Sequence, residues 1–172
     1  ITDAPKIDED LRYEVGRTEP VLSTVLNFDD EGGILRLAEK CNGSGDCRKT
    51  HLSGGTMCPS YMATKNEKDT TRARANVLRE FLTQSDDDRE KWTSEEIKEA
   101  LDLCLSCKAC KNECPSNVDM ASLKAEFSYQ YQKRKGTPIR TKLFGHVQKL
   151  NQFASIFPGL VNKINATPLA KK

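Results

Sequence analysis

Four of the seven cysteines in this 172-residue chain stand in one short run. The run has the spacing C-x2-C-x2-C-x3-C-P and comprises Cys104, Cys107, Cys110, Cys114 and Pro115. Three thiolates with two residues between them can curl round one inorganic cluster, while the fourth points away and ligates the other cluster of a two-cluster protein. Zinc sites generally use separated pairs of cysteines instead. The run therefore predicts a [4Fe–4S] cluster and requires the surrounding chain to fold around it.

The other three cysteines form a degenerate copy of the same run. Cys41 and Cys47 occupy its first and third cysteine positions, Ser44 replaces the second, and Cys58-Pro59 follows a spacer that has grown to ten residues. We expect the two copies to exchange their final cysteines, as the complete run does in two-cluster proteins. The first cluster then takes Cys104, Cys107, Cys110 and Cys58, and the second takes Cys41, Cys47 and Cys114.

The second cluster is one cysteine short of a cubane set. One alternative, which we favour, is a [3Fe–4S] centre, because loss of the second cysteine of the run omits a corner iron. Another is a [4Fe–4S] centre with Ser44, His51 or a residue outside this chain as the extra ligand. A third is a labile cluster that is lost on purification. The nuclearity of this cluster stays open at this point.

Composition narrows the protein class further. Mean hydropathy is −0.64 and no apolar stretch approaches the ~18 residues of a membrane span, so we expect no transmembrane segment. The first ten residues have neither a basic start nor an apolar stretch, so no signal peptide is visible. The odd, clustered cysteines fit metal binding in a reducing compartment better than disulfides, which predicts a cytoplasmic location. Because residue 1 is Ile, we expect an internal piece of a longer chain or a processed product.

The charge is distributed unevenly along the chain. The net charge is −5 over residues 1–40, −2 over residues 41–119 and +9 over residues 120–172, where ten basic side chains accompany one acidic side chain. A basic tail can bind nucleic acid or an anionic surface, or it can be a solvated helix face against the rest of a larger chain. No nucleic-acid motif supports the first alternative, so we expect no nucleic-acid partner.

Apolar spacing predicts helices around the cysteine segments. We expect a short helix near residues 30–40, one over 68–84, one capped by Thr93 with Glu96 that runs through Leu105, and one over 119–135 capped by Asp119. Residues 21–28 are either a short strand or an extended arm. Pro138 is expected to open a further helix that carries Leu143, Val147 and Leu150. Arg72 and Arg74 could face a cluster or a flavin domain, but we expect them on a solvated helix face.

Two stretches carry a family resemblance. They are CNGSGDCRKT with the following GGTMCPSYMATKNEKDTTRARANVLRE, and LDLCLSCKACKNECPSNVDMASLKAEF. Over roughly residues 30–135 they resemble the iron–sulfur region of large FAD-linked oxidases of the D-lactate, glycolate and D-2-hydroxyglutarate dehydrogenase type. The C-x5-C pattern is also similar to the three-iron motif of succinate dehydrogenase and fumarate reductase iron–sulfur subunits. The resemblance implies an all-α fold, the α-helical ferredoxin, in which two pseudo-symmetric helical halves surround two iron–sulfur clusters.

The resemblance also implies a domain organisation. Residues 1–29 would be a linker or extended arm from an upstream flavin domain, and residues 30–136 the α-helical ferredoxin domain. Residues 137–172 would be a C-terminal amphipathic helical extension that leads into a further cysteine-rich domain.

The function implied by the resemblance is electron transfer within an FAD-linked oxidoreductase. FAD on a partner domain outside this chain would oxidise a 2-hydroxy acid, and electrons would leave through the two clusters to a quinone-linked acceptor or the downstream domain. The segment itself is not expected to be catalytic, and peripheral association would place it at the inner face of the membrane. The alternative is a structural zinc-binding interaction domain.

Overall fold

The computed structural model describes residues 4–9, 11, 13, 16–84 and 91–168. Within these ranges every regular element is a helix and no strand occurs, which confirms the predicted all-α fold class. Residues 21–28 form an irregular arm rather than a strand. The chain divides into two compact units, Ile1–Tyr131 and Gln132–Lys172. The predicted domain boundaries at residues 29 and 136 stay predictions.

Six α-helices begin within the described part of the first unit, and the last of them continues past Tyr131. They are α1 (Ile34–Glu39), α2 (Pro59–Thr64), α3 (Thr71–Gln84), α4 (Glu95–Asp102), α5 (Ala109–Glu113) and α6 (Met120–Lys135). Short 3-10 helices cover Asp29–Glu31, Asp46–Arg48 and Glu67–Asp69. One cysteine segment lies between α1 and α2, and the other lies between α4 and α6. The thiols are therefore placed by turns whose ends the helices fix.

The helix ends follow their capping residues. Asp119 caps α6 as predicted, since its Oδ1 accepts the backbone N–H of Ser122 at 3.1 Å. The predicted cap of α4 is wrong by one residue, because the side chain of Ser94, not Thr93, accepts the N–H of Ile97 at 3.3 Å. The helix also ends at Asp102, so Leu105 lies in the turn beyond it. Because the helix ends there, the backbone from Cys104 onward is not helical and can form the cysteine turn.

The core of the first unit lies between the helices and directly beside the cysteine segments. α1 and α4 both pack on α3, and the buried apolar side chains include Leu37, Leu78, Trp92, Leu123 and Phe127. Burying each such side chain contributes roughly 1.5–3 kcal/mol. The Trp92 and Phe127 rings lie 6.3 Å apart between centroids. The hydrophobic cluster that these residues form also includes five of the seven cysteines.

The arm of residues 21–28 is attached to α6 by a buried carboxylate. Glu126 has no exposed surface, and its oxygens accept the backbone N–H groups of Val25 at 3.1 Å and Leu26 at 2.9 Å. Gln130 donates its amide to Glu126 at 2.7 Å and to the Ser23 carbonyl at 3.1 Å. A buried charge requires such partners, so this pairing fixes where the arm lies.

The second unit contains three short helices in its described part. They are α7 (Ile139–Gly145), α8 (Val147–Ile156) and α9 (Pro158–Asn165). Pro138 is the N-cap of α7 rather than its first residue, and the helix predicted to carry Leu143, Val147 and Leu150 is divided at His146. Large apolar side chains are exposed along all three helices, among them Ile139 at 77% and Phe153 at 70%.

Candidate iron–sulfur centre

The complete cysteine run forms a turn with two residues in left-handed backbone conformation. Ser106 has φ 53° and Lys108 has φ 62°. Such conformations are uncommon for residues other than glycine, and they cluster at functional sites, where the fold enforces them. The turn begins where the N–H of Cys104 bonds to the Leu101 carbonyl at 3.0 Å, and it ends at the start of α5. It places Cys110 on the first turn of α5.

Cys58 joins this turn from a distant part of the chain. It also has left-handed backbone conformation, with φ 55°, and Pro59 begins α2 directly after it. One pocket is lined by four thiols, those of Cys58, Cys104, Cys107 and Cys110. We call it the first-cluster pocket. It gathers the four cysteines that the exchanged pattern assigns to one cluster.

The N-terminus of α3 points at thiols from both cysteine sets. The backbone N–H of Thr71 donates to Cys58 Sγ at 3.1 Å, and the hydroxyl of Thr71 lies 2.9 Å from the same sulfur. The residues on either side of Thr71 interact with Cys47 instead. The hydroxyl of Thr70 and the backbone N–H of Arg72 both form hydrogen bonds with its thiol. The first turn of a helix carries a partial positive charge, which favours anions such as thiolates. A single helix end thus serves both candidate cluster sites.

At three of the thiols, burial opposes the effect of these hydrogen bonds, because it raises the pKa whereas they lower it. It raises the pKa of the Cys58 thiol to about 11, despite the hydrogen bonds from Thr71. Burial also raises the pKa of Cys47 and Cys110. Because metal binding requires thiolates, a cationic centre must displace these protons, and binding releases them. In the absence of metal, burial therefore favours the protonated form of these three thiols.

Cys47 interacts electrostatically with Cys41 and also with Cys58 of the first-cluster pocket. Cys41 and Cys47 are both buried, and a negative charge on Cys41 would raise the pKa of Cys47, after the larger effect of burial. Cys41 also borders an open cavity with Asn76 and Arg79 of α3. Cys114 is also buried, at 8% exposure, in the hydrophobic cluster that includes Cys41 and Cys47. Its assignment to the second cluster stays a prediction.

The two candidate non-cysteine ligands lie at the surface. Ser44 is exposed, and its backbone N–H bonds to the Asn42 side chain at 3.0 Å. His51 is exposed in the turn between Thr50 and Ser53. Their role as ligands stays a prediction. Among the described residues, no three His, Cys, Asp or Glu side chains converge closely enough to hold a single metal ion.

A carboxylate that sequence analysis missed connects the two cysteine segments. Glu113 accepts the backbone N–H groups of Thr56 at 2.9 Å and Met57 at 3.1 Å, and the Thr56 hydroxyl at 2.6 Å. The Thr56 bonds lower the pKa of the Glu113 carboxyl. Gly55 lies against this carboxylate, since a Cβ there would be 2.6 Å from Glu113 Oε2. The segment before Cys58 is thus fixed to the one before Cys114.

Two further cations support the site, and neither was predicted to do so. Lys124 Nζ donates to the carbonyls of Leu101 at 2.7 Å and Cys104 at 2.6 Å, which caps α4 and orients the start of the turn. Burial lowers the pKa of this lysine. Arg74 was expected on a solvated face and is instead only 2% exposed, where it lines the first-cluster pocket. The apolar spacing that predicted this helix gave no signal that Arg74 would be buried.

Comparison with known families agrees with this geometry. Residues 40–119, which contain all seven cysteines, match the family described as 4Fe-4S dicluster domain. This segment is therefore similar to an iron–sulfur domain of the dicluster class, and the similarity favours iron–sulfur clusters over the zinc alternative.

The relatives identify the larger proteins in which such a segment occurs. The chain is 28% identical to D-2-hydroxyglutarate dehydrogenase of Escherichia coli over 80% of this chain, and 26% identical to that of Pseudomonas putida over 74%. It is 28% identical to that of Haemophilus influenzae over 64%. These matches confirm the resemblance to the iron–sulfur segment of large FAD-linked oxidases.

The chain spans only 17% of the length of the Escherichia coli relative, 16% of the Pseudomonas putida relative and 14% of the Haemophilus influenzae relative. No solved structure is significantly similar to it. Across the part of the chain that the structure describes, every helix is too short or too polar to cross a bilayer.

Proposed function

We propose that this chain is the electron-transfer segment of an FAD-linked 2-hydroxy-acid dehydrogenase and holds two iron–sulfur clusters. The observation that carries the proposal is the first-cluster pocket, where Cys58 meets three thiols from a turn that begins 46 residues later at Cys104. Local spacing explains the three-thiol turn, but only a shared ligand explains why Cys58 of the other copy lies against it. The donor set also fits, since iron–sulfur clusters are held by cysteine thiolates.

The proposed ligands divide between two clusters. A [4Fe–4S] cluster is assigned to Cys58, Cys104, Cys107 and Cys110. The second cluster is assigned to Cys41, Cys47 and Cys114. With three thiols it is a [3Fe–4S] centre, or a [4Fe–4S] centre if Ser44, His51 or a residue elsewhere in the protein supplies the fourth ligand. The exposure of Ser44 and His51 supports the three-iron alternative.

The clusters would supply one-electron oxidation and reduction, and the protein would supply their surroundings. The Thr71 N–H and hydroxyl are placed to donate to a ligating sulfur, which stabilises its negative charge. The apolar core on one side of the cysteines shields five of the seven from water, whereas Cys104 is partly buried and Cys107 is exposed. Glu113 and Lys124 hold the two turns in place from their outer sides.

The electron donor is proposed to be a flavin domain of the same polypeptide. The relatives are dehydrogenases several times longer than this chain, which supports a donor domain outside it. The hydride acceptor would be FAD on that domain and the substrate a 2-hydroxy acid. Electrons would pass from the clusters to a downstream cysteine-rich domain or a quinone-linked acceptor. This segment holds no catalytic residue in the proposal, and no nucleic acid takes part.

The second unit supports peripheral contact with a membrane from the cytoplasmic side. Residues 132–172 carry nine basic and no acidic side chains. Aromatic side chains are exposed on α7 (Phe144, 67%), on α8 (Phe153, 70%) and at the junction between α8 and α9 (Phe157, 66%). Helices that combine basic and exposed apolar side chains bind the surface of anionic bilayers.

Anaerobic purification followed by iron, sulfide and zinc analysis tests the cluster proposal. Seven irons per chain fit one [4Fe–4S] cluster with one [3Fe–4S] centre, and eight fit two cubanes. An EPR signal of the oxidised protein identifies the three-iron centre, and a signal that appears on reduction identifies the cubane. A colourless protein with stoichiometric zinc would overturn the proposal in favour of a structural zinc domain.

A further inference from the structure

The first-cluster pocket contains a buried cation whose hydrogen-bonding capacity is incompletely used. We propose that Arg74 donates an Nη2 N–H to a sulfur of the [4Fe–4S] cluster in this pocket, and that its positive charge raises the reduction potential of that cluster. Arg74 is thus a positioning and tuning residue rather than a ligand. This inference rests on the proposed function, since it requires a cluster in the pocket.

The other two nitrogens of the guanidinium are firmly bound. Nε donates to the carbonyl of Ala100 at 2.8 Å. Nη1 donates to the carbonyl of Asp69 at 2.7 Å and to the hydroxyl of Ser60 at 3.1 Å. These bonds come from three separate segments around α3, so the orientation of the guanidinium plane is fixed. These hydrogen bonds within the fold define its position.

Nη2 is the exception within this fixed group. It is buried and has no hydrogen-bond partner, although it lies 3.5 Å from Asp69 Oδ1 as a long ion pair. Asp69 directs its other oxygen to the hydroxyl of Thr64 at 2.6 Å. A buried donor without a partner is destabilising, and native proteins hold few of them. The unpaired Nη2 therefore indicates that an acceptor is missing from its surroundings.

The first-cluster pocket indicates which acceptor would bond to Arg74 Nη2. Arg74 lines the same pocket as the four thiols, and its charge acts on Cys58. The sulfurs of a cluster and of its thiolate ligands accept hydrogen bonds, and such bonds are among the factors that set the reduction potential. Reduction adds a negative charge to the cluster, so a nearby cation stabilises the reduced form. Removing the cation must then lower the potential.

The neighbouring arginine of α3 shows why this role belongs to Arg74. Arg72 turns to the other side, where its Nε and Nη2 bond to Glu67 at 2.9 and 2.7 Å. Its side chain is 28% exposed, whereas that of Arg74 is 2% exposed. Exposed charges are screened by water and salt, and buried ones are screened much less. Of these two cations only Arg74 is placed to act strongly on the pocket.

Isotope labelling of the unaltered protein tests the contact directly. The chain is produced with arginine that carries 15N at both Nη positions, the first cluster is reduced, and pulsed EPR is used to detect nuclei coupled to the electron spin. We expect a coupled guanidinium 15N that disappears in Arg74→Lys. If the reduced cubane signal is present without such coupling, the inference is wrong, and no variant needs to fold for that result.

A redox titration tests the effect on the potential. Arg74→Gln is expected to change the oxidised-to-reduced ratio of the first cluster about tenfold at a fixed potential, which lowers its one-electron midpoint by ~59 mV. Arg36→Gln, a half-exposed arginine of α1 outside the pocket, is the matched control and should leave the midpoint unchanged. An Arg74→Gln protein with full iron content and an unchanged midpoint overturns the tuning role. Wild-type protein that takes up no iron contradicts the proposed function instead.

Discussion

The carboxylate of Glu113 accepts hydrogen bonds from both the backbone N–H and the hydroxyl of Thr56, which lies 57 positions earlier in the chain. Glu113 directly precedes Cys114, and Thr56 lies two residues before Cys58. The pair therefore connects the two copies of the cysteine pattern immediately before their final cysteines. A register shift between the copies would break this contact and would separate Cys58 from the turn that it joins.

Replacing Glu113 with Gln should lower the stability of the apo protein at neutral pH, because an amide can accept fewer of the three donated hydrogen bonds. The pKa of Glu113 is lowered in the folded protein from its ordinary value of 4.5. A lowered pKa stabilises the fold above the unfolded pKa, and this contribution is lost as pH falls through the folded pKa. The difference between wild type and Glu113→Gln should thus shrink below about pH 4.5.

Urea unfolding of both proteins at pH 7 and at a series of pH values down to pH 3 measures this difference. The control is Glu99→Gln, because Glu99 is 77% exposed and pairs with Lys68 only at 3.5 Å. Isolated surface pairs of that kind contribute little. An unfolding free-energy difference that stays constant across the pH series would contradict the role assigned to the carboxylate.

Replacing Gly55 with Ala should destabilise the loop more than the same change at the neighbouring Gly54. Both glycines have positive φ, 85° and 71°, so either alanine incurs backbone strain of ~1–2 kcal/mol. Only at Gly55 would the new Cβ also meet Glu113 Oε2, at 2.6 Å, whereas Gly54 faces open space. Thermal unfolding of the two variants should show the larger loss for Gly55→Ala.

A double variant isolates the steric part of that effect. Adding Glu113→Ala removes the carboxylate that the Cβ would meet, so Gly55→Ala should be less destabilising in that background than in wild type. Equal losses in the two backgrounds would mean that backbone strain alone accounts for the effect.

Replacing Cys58 and Cys114 one at a time tests the exchange of ligands between the two copies. The two thiols are matched in burial, at 7% and 8% exposure, so each alanine removes a similar amount of packing. We expect Cys58→Ala to lose the EPR signal of the reduced cubane and Cys114→Ala to lose the signal of the oxidised three-iron centre. Iron and sulfide analysis of each variant accompanies the spectra. The opposite pattern would show that each copy keeps its own final cysteine.

The second unit should bind vesicles that contain anionic lipid and should not bind neutral ones. Each basic side chain near an anionic surface contributes roughly 1 kcal/mol, and salt weakens the attraction. Co-sedimentation of the full chain with phosphatidylserine-containing and phosphatidylcholine vesicles measures binding. Phe153→Ser should weaken it, whereas Leu52→Ser should not, although Leu52 of the first unit is an even more exposed apolar side chain, at 84% against 70%. Equal binding to both vesicle types would exclude the electrostatic part of the proposal.

Sequence reasoning succeeded where the physical determinant is local. The spacing from Cys104 to Cys110 specifies a three-thiol turn, because residues so close together along the chain can reach one another by backbone conformation alone. The cap at Asp119 was likewise predictable, since its partner Ser122 lies three residues away. The cap of α4 was placed one residue early because Thr93 and Ser94 are both good capping residues.

The amino-acid sequence by itself determined the kind of site: its cysteine types, their spacing and the helical character of the segments around them. Only the tertiary structure decided which distant groups complete it, since Cys58, Arg74 and Glu113 reach their partners across long stretches of chain. Arg72 and Arg74 have the same local sequence pattern, although Arg72 pairs at the surface and Arg74 is buried beside the thiol pocket. Their difference arises from packing of the helices, which closes one face of α3 to water and leaves the other open.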